Sequence, residues 1–156
     1  MDVKFTPWRM GYIAGPKPAG CVFCAAAASS DDAAHIVARG DHCFVLLNAY
    51  PYNNGHVMVV PYEHTADLVA LAPEVGQELL ALTRRAVEAL GRSMHPTGFN
   101  IGMNLGEAAG AGIADHLHVH IVPRWSGDTN FMSVIGATRL IPQSLDDTWR
   151  VLREAG

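Results

Sequence analysis

Three histidines alternate with apolar residues in the stretch His116-Leu117-His118-Val119-His120-Ile121-Val122, which runs on into Pro123-Arg124-Trp125. Imidazole titrates near neutral pH, so it can serve as a nucleophile, as an acid or base, or as a metal ligand. Strict alternation predicts a half-buried β-strand, with His116, His118 and His120 on one face and Leu117, Val119 and Ile121 on the other. A face needed only for solubility would more naturally carry Thr, Lys or Glu. Same-face neighbours on a strand stand about 6.6 Å apart, two rises of the chain. Three such side chains line a groove but do not easily converge on one atom. Two readings stay open at this point: a pair of the histidines ligates a metal with help from elsewhere, or the middle one attacks a charged substrate that its neighbours hold.

The residues just upstream favour phosphate. Gly106-Glu107-Ala108-Ala109-Gly110-Ala111-Gly112 offers backbone N–H groups with little side chain in the way, and such a nest binds phosphate oxygens. It is not a P-loop, because no Gly-Lys-Ser/Thr follows. A histidine can take a phosphoryl group and pass it to a second acceptor, splitting one hard displacement into two easier ones. Cys21-Val22-Phe23-Cys24 is a metal or redox candidate, whereas three cysteines in all do not make a disulfide framework. Cys43, in an apolar run, reads as core.

These groups need a scaffold. His35–Arg39 and Cys43–Asn48 read as strands around a Gly40-Asp41 hairpin turn, followed by a strand at His56–Pro61. Pro73–Met94 reads as a long helix: proline suits its first turn, Glu74 suits the positive end of its dipole, and Val75, Leu79, Leu82, Ala86, Ala89 and Leu90 form an apolar stripe. Gly98–Asn104 reads as a further strand. Ser144 is the expected N-cap of a helix running through Arg153, with Asp147 in its first turn. Residues 1–20 read as an irregular arm packed down by Trp8, Tyr12 and Ile13, with Trp8-Arg9 chiefly its anchor, and Ala25–Asp32 as a surface loop with a weak helical leaning at Ala26-Ala27-Ala28. Tyr50-Pro51-Tyr52 reads as loop structure, and His35, His42 and His95 are expected at the surface. Strands, one long helix and strands again predict an α+β fold with a mainly antiparallel sheet, residues 1–156 forming one domain.

Composition narrows the function. A net charge of −4 argues against a broad basic surface and hence against nucleic-acid polymers. No stretch is long and apolar enough to span a bilayer, and the first residues lack the apolar core of a signal peptide, so the expected location is the cytoplasm without a membrane partner.

The residues also carry a resemblance. His116–Val122 is similar to the signature of the histidine triad (HIT) family of nucleotide hydrolases and transferases. Asn48, Pro51 and the run Gly55-His56-Val57-Met58-Val59-Val60-Pro61 resemble that family's nucleotide-binding strand pair. Asn104-Leu105-Gly106, Ala109-Gly110, Pro123-Arg124-Trp125, Gly127-Asp128 and Asn130-Phe131 resemble its dinucleoside polyphosphate branch. The resemblance implies a HIT-like fold of five strands, one long helix and a C-terminal helix, with the sheet continuing across a homodimer. It implies attack on an α-phosphorus by His118 to give a nucleotidyl-histidine, contact of His120 with the phosphate or leaving oxygen, and orientation by His116 and His56. Asn48 would bind ribose, Leu46 and Met58 would lie near the base, Asn104 with Gly110, Ala111 and Gly112 would hold phosphates, and Trp125 would cover the second nucleoside.

Gly112 departs from close relatives, which tend to carry a hydroxyl residue there; only backbone remains to grip phosphate at that position. His120 stands where related hexose-1-phosphate uridylyltransferases have glutamine, which favours hydrolysis or phosphorolysis over sugar nucleotide transfer. Some family members hold zinc through a Cys-x-x-Cys, a histidine after the Gly-His strand and the first triad histidine. The matching set is Cys21, Cys24, His64 and His116, a structural zinc that would brace His116, with no organic cofactor. The expected activity is cleavage of dinucleoside polyphosphates, with phosphate or water as acceptor. Its rivals are a phosphoramidate or acyl-adenylate hydrolase of the same superfamily, a non-catalytic nucleotide-binding module, and a zinc hydrolase using the triad as ligands.

Overall fold

β-Branched and apolar runs, too short for helices and bounded by turn residues, pair here into a sheet. The computed structural model describes residues 20–128 and 141–156. Trp8, Arg9, Tyr12, Ile13, Asn130 and Phe131 lie outside the described residues. The elements are α1 (Val22–Ala27), β1 (Ile36–Arg39), β2 (Cys43–Leu47), β3 (Val57–Pro61), α2 (Pro73–Met94), β4 (Gly98–Gly102), a 3₁₀ turn (Glu107–Ala109), β5 (Val119–Arg124) and α3 (Leu145–Ala155). The five strands form one sheet in the order β1-β2-β3-β5-β4, each pair antiparallel. This is the α+β architecture that the sequence predicts.

Helix α2 covers one face. Pro73 opens it, Glu74 lies in its first turn, and His95 closes it in the left-handed region at φ 48°. Its buried Val75, Leu79, Leu82 and Leu90 pack on Cys43, Val45, Leu47, Val57, Val59, Val119 and Ile121 of the sheet, with Leu152 of α3. Each such apolar side chain contributes about 1.5–3 kcal/mol by burial. Ser144 caps α3 by accepting from the Asp147 N–H at 3.1 Å, as expected. On the other face Phe44, Leu46, Met58 and Val60 pack with Phe23 and Ile36. Among the described residues no helix is long and apolar enough to cross a membrane.

Several boundaries differ from the sequence reading. The stretch read as a loop from Ala25 holds the end of helix α1, because Phe23 is drawn into the second core and the chain around it coils. β4 stops at Gly102 rather than Asn104. The histidine strand begins at Val119, not His116, and continues through Pro123 to Arg124. His116 and His118 form its approach: the Leu117 N–H donates to Thr65 O, and the His116 carbonyl is taken by the His118 ring. Pro123 is tolerated because β3 pairs with β5 only over Val119–Ile121, leaving Pro123 opposite Phe99 of β4 alone.

The β1–β2 turn is three residues, Gly40-Asp41-His42, rather than two, and it closes on a distant side chain. Glu78 of α2 accepts from the N–H groups of Asp41, His42 and Cys43 at 2.9, 2.5 and 2.6 Å. A Cβ on Gly40 would meet that carboxylate at 2.7 Å, so a larger residue there would have to displace the Glu78 side chain that closes the turn.

Candidate functional site

Strand register assembles the site. Ile36 faces Leu46, Leu46 faces Met58, Met58 faces His120, and His120 faces Gly102, a row across all five strands. Because side chains alternate along a strand, this row shares one face, opposite to α2. A pocket above it is lined by Asn48, Tyr50, Tyr52, Met58, Asn104, Gly112, Ile113, His118 and His120. Leu46 lies just behind, 6% exposed, within the apolar cluster that includes Met58.

Hydrogen bonds to backbone groups fix the imidazole tautomers. His118 Nδ1 lies 2.8 Å from the carbonyl oxygen of His116. A carbonyl only accepts, so Nδ1 carries the proton and the Nε2 lone pair is left for chemistry. Burial pushes the His118 imidazole below its ordinary value, outweighing the opposite effect of the carbonyl bond, and so favours the neutral, nucleophilic form. Phe23 braces this ring at a centroid distance of 4.9 Å and touches His116 at 5.4 Å. His120 packs edge-on against His118 at 4.7 Å.

His116 turns the other way. Its Nε2 donates to the Pro61 carbonyl at 2.8 Å, which leaves the Nδ1 lone pair facing two sulfurs and a second imidazole. Nδ1 lies 3.2 Å from Cys21 Sγ, 3.7 Å from Cys24 Sγ and 3.2 Å from His64 Nδ1, while Cys24 Sγ is 3.4 Å from His64 Nδ1. All four atoms lie within 4.8 Å of one another. A tetrahedral zinc with two sulfur and two nitrogen ligands has ligand-to-ligand edges of about 3.3–3.8 Å. This Cys₂His₂ donor set therefore fits such an ion. The triad thus divides, His116 with the cysteines and His118 and His120 with the pocket.

The glycine loop differs from expectation. Gly110 N–H is donated to Glu107 O at 2.9 Å, and Ala111 N–H to Gly106 O at 3.4 Å, so both are engaged inside the loop. Of the three expected phosphate-binding positions, Gly112 lines the histidine pocket. Asn104 reaches it too, its Nδ2 also lying 3.4 Å from Gly110 O. Trp125 is not among the residues lining this pocket, and its indole N–H donates to Met94 O at 3.2 Å.

Residues missed from the sequence complete the wall. Tyr50 and Tyr52, read as loop structure, line the pocket with Ile113. The signal available was their flanking of Pro51, starting two residues after Asn48. The β2–β3 loop that carries them is tied down on both sides. Asn53, 5% exposed, donates to Pro123 O and to Asp128 Oδ2, each at 3.0 Å. Asp128 in turn forms a bidentate pair with Arg124, at 2.6 and 2.9 Å. Gly55 turns at φ +73°, and a Cβ there would meet Met94 Sδ at 2.8 Å. His56 follows, 1% exposed, with its Nε2 2.9 Å from His120 Nδ1.

The site thus combines an antiparallel sheet, two imidazoles lining one pocket and a third imidazole beside a cysteine pair. The chain belongs to the HIT family: the HIT domain model matches residues 29–127. It is 44% identical to the AP-4-A phosphorylase of Mycobacterium tuberculosis, over 95% of this chain and 80% of that one. It is 31% identical to an uncharacterised HIT-like protein of Saccharolobus solfataricus, over 72% of this chain and 79% of the other. Among solved structures it resembles a zinc-bound histidine triad family protein of Mycobacterium smegmatis, with a TM-score of 0.71 and 30% identity, covering 87% of this chain and 92% of that one.

Proposed function

We propose that this protein is an enzyme that cleaves dinucleoside polyphosphates such as diadenosine tetraphosphate, with inorganic phosphate as the acceptor. The observation that carries the reading is the His118 ring, held by its Nδ1–H on the His116 carbonyl with Nε2 left for the pocket. The 44% identity to AP-4-A phosphorylase over nearly the whole chain supports the choice of substrate.

In the first step His118 Nε2 attacks the α-phosphorus, an N–P bond forms, and the P–O bond to the departing nucleoside polyphosphate breaks. In the second a phosphate oxygen attacks the same phosphorus and His118 leaves, giving a nucleoside diphosphate. His120 and Gly112 contact the phosphates, Asn104 orients them, Asn48 takes the ribose, and Leu46 and Met58 floor the base site. Gly110 and Ala111 shape the loop through their internal bonds instead of gripping phosphate.

Cys21, Cys24, His64 and His116 would hold a structural zinc, which ties α1 to the approach of the nucleophile. We place the homodimer contact at β4, one of the two edge strands of the sheet, where Ile101 is 50% exposed. Residues 1–156 act in this reading as one domain.

Incubating diadenosine tetraphosphate with and without phosphate tests the activity. ADP and ATP formed only when phosphate is present are expected. Release of AMP at the same rate without phosphate makes water the acceptor, and no cleavage in either case refutes the substrate class.

A further inference from the structure

We propose that Tyr52 is a positioning residue that locks the His56–His120 pair into one neutral tautomer, so that His120 meets phosphate as an N–H donor. This rests on the reading of the pocket as a phosphate site, but its geometry stands independently.

The chain of bonds starts from a group whose direction is not negotiable. The Tyr52 backbone N–H can only donate, and it lies 3.0 Å from His56 Nδ1. His56 Nδ1 must therefore be unprotonated, which excludes the imidazolium and places the single ring proton on Nε2. Nε2–H then donates to His120 Nδ1 at 2.9 Å. His120 Nδ1 becomes an acceptor, and its own proton resides on Nε2, the opposite edge of a ring that lines the pocket. Each step fixes the next, from one peptide group to the atom that meets substrate.

The Tyr52 side chain supports the same arrangement. Its ring lies 4.7 Å from His56 and 5.8 Å from His120, tilted 33° to both, so it covers the pair on one side. The loop cannot easily shift its N–H, since Asn53 is anchored to Pro123 O and Asp128, and Asn54 Nδ2 donates to Gln143 at 3.1 Å. Asn48 Nδ2 approaches His56 Nε2 only to 3.5 Å, which leaves the His120 bond the better one. Through this arrangement His120 donates a hydrogen bond to a phosphoryl oxygen as negative charge builds there. No proton need leave it, and none need be supplied.

Nitrogen-15 imidazole spectra of the intact protein, assigned with His56→Gln and His120→Gln, read the tautomers without any substrate. At neutral pH both rings are expected as the Nε2–H form. A proton on Nδ1 of either ring, or an imidazolium at His56, overturns the proposal. Replacing the Tyr52 peptide N–H with an ester oxygen, side chain unchanged, is expected to mix the His56 tautomers; an unchanged spectrum also overturns it. Tyr52→Leu is expected to lower kcat on diadenosine tetraphosphate about tenfold with KM within about twofold, and Tyr52→Phe to restore it. A rise in KM alone would make Tyr52 a mere wall. Because the spectra need no turnover, absence of cleavage would refute the substrate and leave the tautomer lock separately decided.

Discussion

His118 Nδ1 is 2.8 Å from the carbonyl oxygen of His116, so the backbone of one triad residue sets the proton of the next. The same His116 offers its side chain to the cysteine cluster. The His118 ring and the Cys21–Cys24–His64 cluster therefore both depend on His116, through different atoms.

From this, His118→Ala is expected to lose at least about a thousandfold in turnover, because no other ring presents an unprotonated nitrogen in the same place. Rapid acid quench after mixing with α-labelled diadenosine tetraphosphate should trap label on the wild type and none on the variant. Label retained by the variant would move the nucleophile elsewhere.

Metal content follows from the donor set. Elemental analysis of the purified protein should give about one zinc per chain, falling to near zero in a Cys21→Ser, Cys24→Ser double variant, with a lowered Tm. Each kcal/mol lost would appear as a fall of about 2–4 °C. Zinc retained by the double variant would place the ion at another site.

Thiol reactivity should separate the three cysteines. Cys43 is fully buried, and burial together with the nearby Glu78 carboxylate pushes its thiol up to about 12. After chelation of metal, iodoacetamide is expected to label Cys21 and Cys24 in the folded protein and Cys43 only after denaturation. Peptide mapping by mass spectrometry reads the pattern directly.

Acid stability should report on Glu78. Burial raises its pKa, but the three backbone N–H donors together with His42 outweigh that and hold it below its ordinary value of 4.5. A group depressed in the fold stabilises above its unfolded value and loses that contribution as pH falls through the folded one. Urea unfolding should therefore show wild type and Glu78→Gln far apart at pH 7 and converging below about pH 4.5. Gly40→Ala, which presses a methyl on the same carboxylate, is expected to cost about 1–3 kcal/mol at neutral pH.

Gly55→Ala tests the turn that delivers His56. Its positive φ and its contact with Met94 Sδ leave no room for a methyl. A loss of about 2–4 kcal/mol in urea unfolding is expected, together with a fall in activity in the protein that remains folded. A stable, fully active variant would show that the loop tolerates movement.

Helix α2 was legible to the residue because its stripe, its proline and its first-turn acid agree within one local stretch. The histidine pattern was legible as chemistry but misleading as a strand boundary. Alternation continues through His116 and His118, whereas pairing with β3 begins only at Val119. Helix α1 was missed because Phe23 is buried by partners far along the chain, His116 and His118 among them. Tyr52 was passed over for a similar reason: its role lies in a backbone N–H and a ring orientation that residue type does not encode. Glu78 gave no sign at all, since its partners are 35 to 37 residues away and are backbone groups.

The cross-sheet row from Ile36 to Gly102 makes the chemistry a question of parity. Slipping β5 by one residue against β3 would leave most of the ladder bonds intact, yet it would bury His120 under α2 and expose Val119 or Ile121 in its place. A misregistered molecule would thus be nearly native in backbone and wholly inert. Active-site titration, compared with total folded protein after refolding, would count such molecules where circular dichroism could not.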